Sequence, residues 1–169
     1  MMKKFFYLTA ILTIVLVSCN SEKKYKEKLS NAASMIEKEA NLSEAIVLTY
    51  CDTWIKVIYD HEYNGEYCTD FNEALAKLNE FIITTDTYKR LKQKRDSIET
   101  IMPLLNDYPS NCKDAYNELV SIYADADELF RFADDPRGSL STYSTKTTDL
   151  FQKIEKSMKE FKVKHIQNK

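Results

Sequence analysis

The chain has 169 residues, in which 24 lysines and arginines face 26 aspartates and glutamates for a formal net charge of −2. That acidic balance speaks against a nucleic-acid binder, whose affinity comes from neutralising phosphates. Two glycines and three prolines leave little material for a turn-rich β-sandwich or a glycine-rich phosphate loop, and they fit long helices instead.

At the start of the chain, Lys3 and Lys4 precede an apolar run from Phe5 to Val17. The run is short of the roughly 20 residues that cross a bilayer and matches the apolar region of a signal peptide. It closes on Leu16-Val17-Ser18-Cys19, which resembles the lipobox of bacterial lipoproteins. The resemblance implies cleavage before Cys19, a lipidated thiol and an acylated (palmitate-type) new N-terminus, so that several membrane signals make a permanent anchor. It divides the chain into a cleaved signal at 1–18, a lipidated tether at 19–24 and a helical domain at 25–169. Asn20 stands where an aspartate signals inner-membrane retention in the enteric lipoproteins, so the resemblance implies the outer membrane. Loss of Lys3 and Lys4 brings the charge near −4, and an envelope address also argues against nucleic acid.

Apolar or small residues then recur at Leu29, Ala33, Ile36, Ala40, Ser43, Val47, Tyr50, Trp54 and Val57 in unbroken steps of four and three. This is the buried stripe of one long first helix, and Asn64-Gly65 marks its end. A second helix opens at Thr69 or Asp70, with Glu73 completing a capping box. It carries Phe71, Leu75, Leu78, Ile82, Thr85, Ile98 and Met102, and Pro103 stops it. Ser110 or Asn111 starts a third, with Tyr116, Leu119, Val120, Tyr123, Ala126 and Phe130 on its stripe. The stretch Asp134–Ser139 reads as a turn, and a fourth helix follows with Tyr143, Leu150, Phe151, Ile154, Met158 and Phe161. No strand pattern, fixed-period repeat or composition break is visible. The expected fold is all-α, an antiparallel up-down four-helix bundle with a long first helix.

In such a bundle the first helix leaves the membrane, and the end of helix 2, the start of helix 3 and the end of helix 4 return to it. The membrane side would then hold Lys23, Lys24, Lys26 and Lys28, the run Lys89, Arg90, Lys92, Lys94 and Arg95, and Lys159, Lys162, Lys164 and Lys169. Basic residues there attract anionic headgroups; equally, each cluster reads as a solvated helix face. The far tip gathers Asp60, Glu62, Glu66, Asp70, Asp134 and Asp135 with Tyr59, Tyr63 and Tyr67, diluted by Arg131 and Arg137. Tyrosine gives large contact area at low entropy cost, so Tyr59, Tyr63, Glu66 and Tyr67 are the candidate partner-binding residues.

No catalytic constellation emerges. A di-metal bundle site needs Glu-x-x-His on two helices, but neither His61 nor His165 follows a glutamate by three positions. No nucleophile-elbow, haem-attachment or calcium-loop pattern occurs, so no enzyme activity, cofactor or metal is expected. With Cys19 lipidated, Cys51, Cys68 and Cys112 remain; a Cys51–Cys68 bond and three unpaired thiols both stay open. The turn from Asp135 to Leu140, with Tyr143 after it, resembles one found in small helical envelope proteins, and no residues of known function come with it. Size, fold and address are similar to those of lipoproteins that act in phage superinfection exclusion or as immunity proteins against toxins. The expected function is a membrane-anchored, non-enzymatic binding module for an envelope or extracellular protein; the alternatives are a structural accessory lipoprotein or a protective one of the immunity type.

Overall fold

The structure, a computed structural model, describes residues 2–167, with side chains from residue 21 onward. The described residues form five α-helices: α1 (Met2–Ile55), α2 (Phe71–Ile82), α3 (Asp86–Ile101), α4 (Lys113–Asp134) and α5 (Leu140–Phe161). The fold is all-α, apart from one two-stranded ribbon. The lipobox and Cys19 fall on residues whose side chains lie outside this description; the segment 19–24, expected as a tether, is helical within α1.

The stripe on α1 governs the packing. All nine of its residues, from Leu29 to Val57, are buried. Tyr25, Ala32, Glu39, Ile46 and Cys51 are buried beside them, so α1 buries more than one face and packs against α2, α3, α4 and α5 alike. At its far end the helix widens into a π-helical segment, Lys56–Asp60, which ends at His61 in a left-handed conformation. Trp54, only 1 % exposed, lies against the Tyr143 ring in the first turn of α5.

Cross-helix contacts fix the directions. The hydroxyl of Tyr50 donates to Asn79 of α2 (2.6 Å), Arg95 of α3 meets Glu39, and the Tyr25 hydroxyl donates to the Leu105 carbonyl (2.7 Å). α2 and α3 therefore run back along α1. α4 climbs with α1, from Cys112 at the lower end to Asp134, which accepts from Tyr88 at the top of α3. α5 descends again, pairing Lys153 with Asp125 (2.7 Å) and Lys162 with Glu37 (2.6 Å).

Two expectations are corrected. The single helix expected from Asp70 to Pro103 is two, broken at 83–85. There the Thr84 and Thr85 hydroxyls donate to the carbonyls of Phe81 and Ile82, and Thr85 also accepts from the Tyr88 amide as the cap of α3. Side-chain hydroxyls that bond nearby backbone compete with the helical ladder, and the β-branched run Ile82–Thr85 weakens it further. The expected absence of strands is also wrong: Glu62–Tyr63 pairs antiparallel with Glu66–Tyr67. Smaller departures are Val120, expected in the core and 37 % exposed, and the entry to α4, which passes through a 3-10 turn at Ser110–Cys112. The expected cap at Asp70 holds, its carboxylate accepting from the Asn72 and Glu73 amides.

Candidate functional site

The tip is built by a turn that only a few residues can make. Asn64 and Gly65 both have positive φ (53° and 83°), the type I′ geometry that matches strand twist in two-residue hairpins and favours Asn-Gly. The pairing sets Glu62 opposite Tyr67 and Tyr63 opposite Glu66, and the Cys68 amide donates to the His61 carbonyl (2.8 Å) at the ribbon's base. Successive side chains on a strand face opposite ways. Tyr63 accordingly packs against the core while Tyr67 is 82 % exposed, with the His61 ring 6.2 Å from its own. Tyr59 is 72 % exposed on the preceding π segment, and Glu66 is exposed. Of the four candidate residues, three face solvent and one, Tyr63, anchors the ribbon.

The tip also carries exposed apolar surface. Among the described residues, four of the eleven exposed large apolar side chains, Ile58, Tyr59, Tyr67 and Phe71, lie on the hairpin and its flanks, while Leu48, Ile55, Phe81 and Ile83 lie farther from it along α1 and α2. From Val57 to Ala76 the chain has no lysine or arginine, but it has Asp60, Glu62, Glu66, Asp70 and Glu73. The second expected tip segment is engaged with another helix only at Asp134, while Asp135, Arg137 and Ser139 are exposed. Asp134 accepts from Tyr88 and Asp135 pairs with Arg137, while Ser139 caps α5 at the Thr142 amide.

The basic run of α3 does not sit where it was expected. Arg95 is level with Glu39, fourteen residues past Tyr25, which is about 21 Å along a helix rising 1.5 Å per residue. Tyr88, just before the run, is higher still, beside Asp134. The chain turns back at Met102–Cys112, and that segment, not Lys89–Arg95, lies level with the start of the described side chains. Within the run only Lys89 and Arg90 are exposed; Lys92, Lys94 and Arg95 are half-buried.

Arg95 instead belongs to a polar cluster inside the molecule. Its Nε donates to Glu99 (2.9 Å), one terminal nitrogen reaches Glu39 (3.4 Å) and the other contacts Asp127. The guanidinium also stacks 4.4 Å from the centre of the Phe130 ring, with Lys92 at 5.0 Å. Glu39 is fully buried, and its second carboxylate oxygen has no hydrogen-bond partner in the structure. Burial first, and the nearby Asp127 and Glu99 charges second, push its carboxyl up to about 7 against the pull of Arg95.

Cys51 and Cys112 are buried thiols and Cys68 is half-buried; all three are free, so the Cys51–Cys68 bond is not formed. Among the described residues no group of histidine, cysteine and carboxylate side chains is placed to hold a metal, and no helix is long and apolar enough to cross a membrane. His165 meets Glu118 at 2.8 Å, a structural tie near the end of the chain. No family model matches this chain, and comparison with curated proteins and with solved structures finds no match either.

Proposed function

We propose that this chain is a lipid-anchored protein of the cell envelope that works without catalysis, presenting its hairpin end to a protein partner. In this reading α2 and α3 form one broken arm of an antiparallel up-down four-helix bundle, whose lower end is tethered through Cys19. The observation that carries the reading is the coincidence of four exposed apolar side chains, Ile58, Tyr59, Tyr67 and Phe71, with a stretch free of lysine and arginine at 57–76. Apolar patches rimmed by charge are typical of interaction sites, and the rim here selects a partner with a basic surface. Protection against a phage or toxin protein is one version of this role.

A photo-crosslinking residue placed at Tyr59 or Tyr67 tests it in the intact envelope. Both positions should give the same discrete protein adduct, and Glu62→Lys with Glu66→Lys should abolish it. A second reading, lateral packing against another envelope component, is supported by Val163 (50 % exposed) beside a groove of about 720 Å³ between α1 and α5. An adduct from Val163 and none from Tyr59 or Tyr67 would decide for that alternative. The anchor is tested separately: Cys19→Ala should shift the protein from the membrane fraction to the soluble one and remove the acyl mass.

A further inference from the structure

The arm α3 is attached differently from the rest of the fold. Over sixteen residues it buries only Leu91 and Ile98, whereas α4 buries seven side chains and α5 five. It is jointed at both ends, by the break at 83–85 and by the 3-10 turn Met102–Leu105. Besides the buried Leu91 and Ile98 and the Tyr88 hydrogen bond to Asp134, what ties its middle to α1 and α4 is Arg95, whose terminal nitrogens meet Glu39 and Asp127, whose Nε stays with Glu99 of α3 itself, and whose plane covers Phe130. One guanidinium thus faces three carboxylates, and the innermost of them, Glu39, has an oxygen left without a partner.

We propose that α3 is a detachable arm and that its docking onto α1 and α4 is tied to one proton carried by the buried Glu39. The charged groups around that carboxyl come from three elements. α3 supplies Arg95 and Glu99, and α4 supplies Asp127, with Arg131 held on its other oxygen at 2.6 Å, and the Tyr123 hydroxyl. From the segment just after α5, Lys162 reaches this stretch of α1 and is held by Glu37. Docking α3 brings Arg95, which favours the charged form, but the burial it completes is the larger effect and Glu99 adds to it, so the docked arm favours the protonated acid. With α3 lifted, water reaches Glu39 and the proton leaves. Lifting also uncovers Phe130, which is 6 % exposed when Arg95 and Lys92 cover it.

The sign of the pH dependence follows. The carboxyl is raised from 4.5 to about 7 when docked, so opening releases one proton in that interval. The opening equilibrium should therefore rise by up to about tenfold per pH unit between pH 5 and 7 and level off above it. Below pH 4.5 the contribution of Glu39 to docking is fully present.

Native-state hydrogen exchange on the full mature protein in detergent micelles tests this, with rates corrected for intrinsic pH dependence. Opening of the α3 amides should follow that slope while the amides of α4 stay level, and Glu39→Gln should make α3 level too. A flat α3 profile in the native protein, or an unchanged slope in Glu39→Gln, overturns the proposal. Should Glu39→Gln fail to fold, carbon-13 titration of the glutamate carboxyls in the native chain decides instead. A buried carboxyl titrating near 7 supports the arm, and none above 5.5 overturns it. The outcome does not depend on the anchor or on the partner.

Discussion

The rings of Trp54 and Tyr143 meet with their centres 5.1 Å apart, at an angle of 58°, and close the upper end of the core between α1 and α5. The Phe132 ring stands edge-on to Tyr143, and the Tyr143 hydroxyl donates to the Phe132 carbonyl (2.7 Å). Trp54→Ala should destabilise the fold by about 3–5 kcal/mol, the range for large aromatic truncations in packed cores. Tyr143→Phe keeps the ring and loses one part-buried hydrogen bond, for about 1 kcal/mol. Urea unfolding followed by far-ultraviolet dichroism separates the two; a Trp54→Ala loss under 1 kcal/mol would mean the upper core is not closed as described.

The burial of Trp54 and Tyr143 was readable from the sequence, but their contact with each other and with Phe132 was not. The α1 stripe was legible because every step of three or four landed on an apolar or small residue, although the second buried face at Ala32, Glu39, Ile46 and Cys51 was not. The break after Ile82 was hidden because Thr85 fits the stripe in size and spacing. The warning was the gap that follows, where Leu91 alone is buried between Thr85 and Ile98. Asn64-Gly65 was read as a helix terminus, although the same dipeptide is the strongest short hairpin signal. Two-residue strands are too short to show alternation. The inward turn of Arg95 was invisible for another reason: Glu39 sits in the charged stretch Glu37-Lys38-Glu39, and its partner lies 56 positions away.

That ion pair makes a prediction of its own. Arg95 is 14 % exposed and Glu39 not at all, so Arg95→Met should cost about 3 kcal/mol or more at pH 8, where Glu39 is charged, because removing one partner leaves buried carboxylates uncompensated. Placing the same change in a Glu39→Gln, Asp127→Asn background should cost less than half as much. A double-mutant cycle at constant pH measures the difference directly; strictly additive losses would show that Arg95 is held by its packing on Phe130 and not by the carboxylates.

The hairpin should come apart without the helices. A β-branched residue is strongly disfavoured at positive φ, so Gly65→Val, at φ 83°, should destabilise the ribbon by about 1–2 kcal/mol. Nothing lies within 4 Å of a side chain added there, so the cost is conformational and not steric crowding. Exchange of the Cys68 amide, bonded to His61 within the ribbon, should accelerate about tenfold, while amides in the middle of α4 keep their protection. Global unfolding at an unchanged urea midpoint checks that the effect is local.

The thiols offer the last test, because they report burial at three heights of the molecule. Cys51 and Cys112 are 7 % and 2 % exposed, and burial pushes both thiols above their ordinary value, so at neutral pH they carry even less thiolate than a free cysteine. Thiolate, not thiol, is the reactive form. Cys68 is half-buried at the foot of the hairpin, with its thiol turned to the Asp70 carbonyl at 3.5 Å. In a Cys19→Ser protein, a disulfide-exchange reagent at pH 8 should therefore modify one thiol quickly and the other two only as fast as the fold opens. Peptide mapping should find the fast label on Cys68. Denaturing the protein first should bring all three to a common rate, and a native protein yielding only one reactive thiol even after denaturation would reveal a Cys51–Cys68 bond that this fold does not contain.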